Sequence, residues 1–297
     1  NANGNDDVTI YLLCRSEEKA NGAIQEIRQS LGENSRIRLE FMNFDAYDDE
    51  PTIRKNISLA LQGESNPPTI AGILLNAGGF GELQSDNKNT EESVPGACGI
   101  AKLNLIGHIF LVRNLLNLCK TDSSTRIVPV ASEAAFATPG MDYEAADFVA
   151  HLSGTVAKKD KMMGADYGWT KGILALYWSA YARHHPEHVV ATISPGAVPS
   201  TKLMNQGAVS PALRTIAKIT QWPCFGGSHT VQDGAERYVM ALLGTGPFGS
   251  GFSSGEFWAS TRGFAKDFGK VAELKKGKFV ADVKLQDKAW TAVQTFV

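Results

Sequence analysis

The sequence has neither a long apolar run nor a strong charge of one sign. Apolar stretches such as Ile109–Val112 are far shorter than the roughly 20 residues that a membrane-spanning helix needs. Lys and Arg number 29 against 31 Asp and Glu, which gives a formal net charge of −2. This balance gives no reason to expect nucleic acid or an anionic membrane as a partner. We therefore expect a small substrate, uncharged or mildly anionic.

Cysteine is scarce, and its spacing matches none of the common zinc or disulfide frameworks. The four cysteines are Cys14, Cys98, Cys119 and Cys224. No two of them have C-x-x-C spacing, so we expect reduced thiols in a reducing compartment. Internal repeats and low-complexity tracts are also absent. With 43% apolar residues, a chain of 297 residues can bury a sizeable core.

Three histidines, His184, His185 and His188, surround Pro186 at the end of a predicted helix. Such a group could bind a metal. Its position near the negative end of a helix dipole instead favours side chains that face solvent. We predict no metal site.

Short apolar runs alternate with longer amphipathic segments along the chain. The predicted strands are Val8–Cys14, Ile37–Met42, Thr69–Leu75, Arg126–Val130 and Val189–Ile193. The predicted helices are Glu17–Leu31, Asp49–Leu61, Gly99–Lys120, Tyr167–His184 and Val231–Leu243. This alternation predicts an α/β fold with a doubly wound parallel sheet, which binds ligands beyond the carboxyl ends of its strands.

Two long stretches, 133–166 and 197–229, do not follow the alternation. Long irregular segments at strand ends are more often lids or binding loops than linkers. We interpret both as walls of a substrate pocket within a single Rossmann-type domain that spans 1–297.

Charged side chains follow the first two predicted strands. A dinucleotide-binding fold meets the adenosine ribose after the first of them, where Arg15 stands and no acid does. A guanidinium can bind the 2′-phosphate of NADP, whereas a carboxylate would accept from the 2′-hydroxyl of NAD. Arg15 therefore favours NADP(H), the alternative being a solvated charge at a helix start. Asp45 is a candidate adenine contact or a helix N-cap.

Small and hydroxyl residues follow the next two strands. Asn76, Ala77 and Gly78 could let the backbone approach a cofactor closely, with Asn76 linking two neighbouring loops, although a plain turn would look the same. Ser132 could bond to a substrate carbonyl oxygen, or it could be a turn serine.

Tyr167 and Lys171 are four residues apart on a predicted helix, so both side chains can project into one pocket. A nearby cation favours the phenolate, and we expect Lys171 to lower the pKa of Tyr167 from its ordinary value of about 10. Tyr167 would then serve as an acid/base group. Surface pairing is the alternative.

Taken together, these motifs resemble the short-chain dehydrogenase/reductase family over nearly the whole chain. The matching positions, in order, are Asn76 to Gly78, Asn104, Ser132, Tyr167 with Lys171, and Ser194 to Gly196. The resemblance implies an Asn-Ser-Tyr-Lys tetrad. In it Ser132 positions the carbonyl, Tyr167 delivers the proton, Lys171 also binds ribose, and Asn104 holds a water in the proton relay.

The resemblance also implies further cofactor contacts beyond the predicted strand Val189–Ile193. Pro195 and Gly196 would lie along the nicotinamide, with Val198 contacting its carboxamide. Ser200 and Thr201 are candidate hydroxyls near the pyrophosphate.

Within the family, two segments look like the retinol-dehydrogenase and protochlorophyllide-reductase branch, which uses NADP(H). They are Leu12–Arg15 and Ser254–Trp258, with Trp290 in a closing helix. The chlorophyll-pathway enzymes carry a cysteine where Leu75 stands here, which disfavours their substrate.

One feature of the family does not occur in this sequence. The family opens with a strand and a Gly-rich loop that reaches the pyrophosphate at a helix N-terminus. We expect both to lie upstream of Asn1, with the strand between Val8–Cys14 and Thr69–Leu75.

Two function classes follow. The first is an NADP(H)-dependent reductase or dehydrogenase acting on a carbonyl, an alcohol or a conjugated double bond of a small, apolar substrate. The second is a catalytically silent dinucleotide-binding or scaffold protein. The tetrad favours the enzyme. The substrate, the oligomeric state, with a homo-oligomer as one option, and the cellular location are left open.

Overall fold

A computed structural model describes residues 8–32, 35–62, 66–80, 96–137, 141–156, 165–196, 198, 230–259, 272–273 and 278–297. Within them the strands are β1 (Val8–Cys14), β2 (Ile37–Asn43), β3 (Gly72–Leu75), β4 (Arg126–Pro129), β5 (Val189–Val190), β6 (Thr192–Ile193), β7 (Phe257–Ala259) and β8 (Ala272–Glu273). The α-helices are α1 (Glu17–Leu31), α2 (Glu50–Ala60), α3 (Gly99–Ala101), α4 (Gly107–Leu118), α5 (Ala134–Ala137), α6 (Phe148–Ser153), α7 (Ala165–His184), α8 (Val231–Leu243), α9 (Lys278–Ala281) and α10 (Val283–Gln294). A π-helical segment, Lys102–Ile106, connects α3 to α4, and a short 3-10 helix covers Gly246–Phe248.

The strands pair in parallel, apart from the antiparallel pair of β7 and β8. β1 pairs with β2, β3-β4-β5 form a second sheet, and β6-β7-β8 form a third. A bridge between Val130 and Ile193 joins β4 to β6, so the last two sheets continue into one another. The predicted α/β fold with a parallel, Rossmann-like arrangement in one domain is confirmed.

The predicted strand Val189–Ile193 is interrupted at Ala191. The amide of Ala191 donates to the carbonyl of Ile127 on β4, while the amide of Thr192 turns to the carbonyl of Glu256. β5 therefore pairs with β4, and β6 pairs with β7. Periodicity alone could not show this change of partner, because both halves are apolar and buried.

Local side-chain chemistry determines where several helices begin. Ser16 and Asp49 cap α1 and α2 by accepting from the amides of Lys19 and Thr52. Thr230 and Asp233 form a reciprocal capping box at the start of α8. The sequence-based bounds of α1 and α8 are confirmed, whereas the prediction that 133–166 is irregular is wrong at α5 and α6, since Asp147 caps α6.

Helix α7 lies in the middle of the core. All residues from Tyr167 to Ala182 are buried, and α5, α6 and α10 pack around the helix. On the α10 side, the rings of Tyr177 and Trp290 stack at 5.2 Å with only 8° between their planes. A helix that is apolar on all sides is typical of a buried core position.

Helix α4 and the segment before it form the second buried element. Gly99–Leu118 is the one described helix that is long and apolar enough to cross a membrane, and 72% of that apolar window is buried inside the protein. This burial is that of a core helix, so its composition is no argument for a membrane span.

Strands β1 and β3 do not share a ladder among the described residues. Val8 and Ile10 on β1 are 52% and 46% exposed, respectively, and Leu74 on β3 is 37% exposed. The strand expected between β1 and β3, and the Gly-rich loop expected with it, stay predictions.

The expectation that the histidines around Pro186 all face solvent is wrong for His188. Its side chain is only 9% exposed. The hydroxyl of Tyr181 lies 3.4 Å from its Nδ1 atom, because the turn after α7 folds the histidine back towards the helix. The described cysteines, Cys14, Cys98 and Cys119, are free thiols.

The close approach of α4 to the loop after β2 gives a stability prediction. A Cβ atom on Gly107 would lie 2.4 Å from the carbonyl oxygen of Ala46. We expect Gly107→Ala to lower the free energy of unfolding by about 1–3 kcal/mol, because the clash is with backbone. Gly22 in α1 has nothing within 4 Å of such a Cβ. Gly22→Ala should therefore stabilise the protein by roughly 0.5–1 kcal/mol through helix propensity.

Urea unfolding of the two variants beside the wild type measures both effects. We expect the free energy of unfolding to fall in Gly107→Ala and to rise in Gly22→Ala. A Gly107→Ala protein as stable as Gly22→Ala would contradict the close packing of α4 on Ala46.

Candidate active site

Ser132, Tyr167 and Lys171 come together at the carboxyl ends of β4 and β6. Ser132 follows β4, and its side chain lies close enough to the phenol of Tyr167, at the start of α7, to oppose the rise in the pKa of that phenol. The ammonium nitrogen of Lys171 donates to the carbonyl of Val130 at 2.7 Å and lies 5.8 Å from the centre of the Tyr167 ring. The spacing of four residues thus brings phenol and ammonium to one pocket, as the sequence predicts.

Gly78 occupies the point where this group meets Asn104. A Cβ atom at position 78 would lie 2.7 Å from Oδ1 of Asn104 and 3.0 Å from Nζ of Lys171. Only glycine fits there without displacing one of the two side chains. The loop after β3 and the helix α7 are therefore in direct contact, and all four members of the predicted tetrad lie in one neighbourhood.

Asn104 links the loop after β3 to the helix that follows it. It is fully buried in the π-helical segment; its Oδ1 accepts from the amide of Gly79 at 3.1 Å, and its Nδ2 donates to the carbonyl of Gly79 at 2.8 Å. The same nitrogen donates to the carbonyl of Ile100 at 2.9 Å. Both amide hydrogens are used, so only Oδ1 retains capacity for the water that the family resemblance implies. That role stays a prediction.

Tyr167 has a raised pKa, and this corrects the sequence-based expectation. Burial raises the pKa of Tyr167 to about 12, the nearby Ser132 hydroxyl opposes the shift, and the charge of Glu133 adds to it. Lys171 was expected to bring the pKa down, but the cost of burying a phenolate is the larger effect. At neutral pH the phenol keeps its proton.

Lys171 is a buried cation. Its side chain is 2% exposed, and burial lowers its pKa to about 7. The Val130 carbonyl accepts one of its protons. Lys171 can therefore gain and lose a proton near neutral pH, unlike an ordinary lysine.

His108 is a buried neighbour of Lys171 and belongs to none of the sequence motifs. Burial, followed by the charge of Lys171, lowers the pKa of His108 to about 3, so the imidazole is neutral. Its Nδ1 atom is buried without a hydrogen-bond partner in the described residues. A neutral imidazole adds no second positive charge beside Lys171.

The two charged residues predicted to meet the adenosine half lie side by side. Arg15 follows β1 and Asp45 follows β2, and their side chains form an ion pair at 3.9 Å. The Arg15 side chain is 70% exposed, so this contact leaves most of the guanidinium accessible. Asp45 also accepts from the amide of Tyr47, which makes it a turn residue, while Asp49 is the N-cap of α2.

The other predicted cofactor contacts lie on the same edge of the sheet. Asn76, Ala77 and Gly78 are exposed after β3. Gly196 has a positive φ of 82°, a backbone conformation that side chains disfavour. Val198 is half-buried, with its Cγ2 atom 3.4 Å from a Cβ placed on Gly234. Ser200 and Thr201 lie outside the described residues.

Three residues of the site have no sequence motif. Phe80 packs on the ring of Tyr167 at 4.8 Å between centroids. Arg237 on α8 is almost fully buried and donates to the carbonyl of Pro195 at 2.7 Å, which fixes the segment after β6. Tyr238 is close enough to Tyr167 for their charges to interact. Of these three residues, only Arg237 could have been noticed in the sequence, as an arginine within an amphipathic helix. Its partner Pro195 lies 42 residues away, so the contact itself could not be predicted.

Comparison with solved structures identifies the fold. A short-chain type dehydrogenase/reductase from Mycobacterium ulcerans superposes with a TM-score of 0.54 at 16% identity, over 84% of this chain and 78% of that one. A 7α-hydroxysteroid dehydrogenase in complex with NADH and 7-oxoglycochenodeoxycholic acid superposes with a TM-score of 0.55 at 17% identity, over 88% of this chain and 86% of that one. An NADPH-bound carbonyl reductase from chicken fatty liver superposes with a TM-score of 0.52 at 13% identity, over 87% of each chain. No family model and no curated protein sequence matches the chain. At these identities the likeness establishes a shared fold.

Asn104 provides a test of how the loop after β3 is held. Asn104→Ala removes both bonds to Gly79, whose backbone is buried. Each unsatisfied buried group costs about 1–3 kcal/mol, so we expect unfolding to become easier by at least about 2 kcal/mol. Asn117→Ala, on an exposed position of α4, is the matched control and should change stability by less than about 0.5 kcal/mol.

Chemical denaturation measures both variants. Equal stability of the two would mean that Asn104 does not hold the loop.

Proposed function

We propose that this chain is an oxidoreductase of the short-chain dehydrogenase/reductase family. It would transfer a hydride between NADP(H) and a carbonyl, an alcohol or a conjugated double bond of a small, apolar substrate. The observation that carries the proposal is that the Ser132 hydroxyl and the buried ammonium of Lys171 both lie beside the phenol of Tyr167. A scaffold protein has no need for these three groups in one pocket.

The residues around this pocket fit a nicotinamide dinucleotide. The loop after β3 presents small, exposed residues, and at Gly78 a side chain would collide with Asn104 and Lys171. Arg15 presents an accessible guanidinium at the carboxyl end of β1. Among the solved structures of the same fold, the 7α-hydroxysteroid dehydrogenase contains NADH and the chicken carbonyl reductase contains NADPH. When bound, the cofactor supplies or accepts the hydride.

Tyr167 is the proton donor of the proposed reaction. Its pKa of about 12 keeps the phenol protonated at neutral pH, which is the form needed to protonate a substrate oxygen during reduction. The Ser132 hydroxyl lies beside the phenol, so a carbonyl oxygen placed between the two would receive hydrogen bonds from both. This arrangement stabilises negative charge as it develops on that oxygen.

Lys171 and Asn104 prepare the site for this step. The ammonium of Lys171 lies beside the Tyr167 ring and stabilises the phenolate that remains after the proton leaves. Since its own pKa is about 7, Lys171 can pass a proton on at neutral pH. Asn104 holds the loop after β3 against the helix and so keeps the pocket in shape.

The preference for NADP(H) is the finer part of the proposal. Arg15 supports it, since its guanidinium is largely exposed and can bind the 2′-phosphate while it contacts Asp45. Membership of the retinol-dehydrogenase and protochlorophyllide-reductase branch stays a prediction based on sequence.

Tyr167→Phe tests the chemistry. The variant removes one hydroxyl and preserves the ring that packs on Phe80. We expect turnover to fall by at least about 10²-fold, as is typical for loss of a general acid, with NADPH binding retained. Tyr177→Phe is the matched control, because it makes the same chemical change in α7 where the ring stacks on Trp290 instead.

The measurement is NADPH consumption by the purified protein against a panel of aldehydes, ketones and retinoids, with binding followed by fluorescence. Wild-type turnover in Tyr167→Phe would contradict the assignment. NADPH binding without turnover on any substrate class would support the silent-protein alternative.

Arg15→Ala tests the choice of cofactor. Loss of a charge-assisted hydrogen bond worth about 1.5–3 kcal/mol should shift the ratio of kcat/KM for NADPH over NADH by roughly 10-fold or more towards NADH. Arg38→Ala removes an exposed arginine paired with Glu40 on β2 and should leave the ratio unchanged. An unchanged ratio in Arg15→Ala would make Arg15 an ordinary surface residue.

A further inference from the structure

A second cluster of chemistry-bearing side chains lies at the opposite end of α7 from Tyr167. His185, Glu187 and His188 occupy the turn between α7 and β5, and one ligand atom from each lies within 4.8 Å of the other two. This is the one group of three or more histidine, cysteine or carboxylate side chains in the described parts of the chain that could hold a metal ion. None of the three residues takes part in the proposed oxidoreductase chemistry.

The carboxylate of Glu187 lies between the two imidazoles. Its Oε1 atom is 3.2 Å from Nδ1 of His185 and 3.8 Å from Nδ1 of His188. Ligand atoms about 2.0–2.2 Å from a tetrahedral zinc ion are separated from each other by roughly 3.4 Å. The two separations from the carboxylate fall on either side of this value, and all three ligand atoms lie within 4.8 Å of one another, so side-chain rotations can bring them to one ion.

The backbone of the turn already holds the ligands in place. The amide of His188 donates to the carbonyl of His185 at 3.1 Å, and the carbonyl of His188 accepts from Ser254 at 3.2 Å. The side chain of His188 is nearly buried and so has little room to move. Little conformational entropy remains to be lost on binding at this residue.

Exposure differs across the cluster in the way that an open metal site requires. His188 closes the inner side, whereas the side chains of His185 and Glu187 are 39% and 58% exposed. An ion can therefore enter from solvent and keep a fourth position for water.

We propose that His185, Glu187 and His188 form a binding site for a divalent transition metal ion, namely Zn²⁺. Two imidazoles and one carboxylate are a donor set that zinc accepts while a fourth position stays open. The ion would tie the carboxyl end of α7 to the start of β5, because its ligands lie on the residue that precedes Pro186 and the two that follow it. The tie would stabilise the helix that carries Tyr167 and Lys171.

Titration of the full chain with Zn²⁺ alone, followed by calorimetry at a pH above the ordinary pKa of histidine, tests the site. We expect one ion per chain and a rise in Tm with Zn²⁺. His185→Gln and Glu187→Gln alter exposed side chains and should each raise the Kd by at least about 10-fold. His184→Gln is the matched control, because that ring stacks on Trp290 at 4.5 Å outside the cluster, and it should bind as the wild type does.

Co²⁺ in place of Zn²⁺ distinguishes this site from the cysteine thiols. Imidazole and carboxylate ligands give visible d–d absorption without a sulfur-to-cobalt charge-transfer band. The proposal is overturned if the wild type binds no Zn²⁺ stoichiometrically, if His185→Gln and Glu187→Gln bind as well as His184→Gln, or if the charge-transfer band accounts for the bound Co²⁺. Each of these readouts is independent of turnover, so a failed metal site leaves the proposed function standing.

Discussion

Lys171 carries a positive charge in a place from which water is excluded, and the arrangement around the site follows from that burial. Taking an ammonium out of water is costly unless neighbouring groups replace the lost hydration. The carbonyl of Val130 provides one such group, and its position depends on the pairing of β4 with β6 through Val130 and Ile193. The end of the sheet and the central helix are thus coupled through one side chain.

The same burial moves the pKa values of Tyr167 and Lys171 in opposite directions. Tyr167 is raised to a pKa of about 12 and Lys171 is lowered to about 7, since each loses solvation of its charged form. A protonated phenol beside a lysine that titrates near neutrality is a combination suited to giving up a proton and recovering it. His108, with a pKa of about 3, remains neutral next to them and does not add to the charge.

The parts of this structure that could be predicted from sequence are those governed by local periodicity. The bounds of α1 and α8, and the shared face of Tyr167 and Lys171, follow from spacing along one segment. The break at Ala191, the bond from Arg237 to Pro195 and the direction of the Tyr167 pKa depend on contacts between distant segments. Sequence spacing does not reveal those contacts. The expected pKa of Tyr167 therefore included the charge of Lys171 but not the cost of burying the phenolate.

The π-helical turn before α4 determines the angle around the helix axis between Asn104 and Gly107. The amide of Gly107 donates to the carbonyl of Lys102, five residues earlier, so this turn contains one residue more than an α-helical turn. One residue corresponds to about 100° of rotation around a helix axis. Because of this offset, Asn104 meets Gly79 while Gly107 meets the backbone of Ala46. Deletion of the extra residue would rotate one of these two contacts away from its partner. The irregular turn is therefore a geometric link between the loop after β3 and the loop after β2.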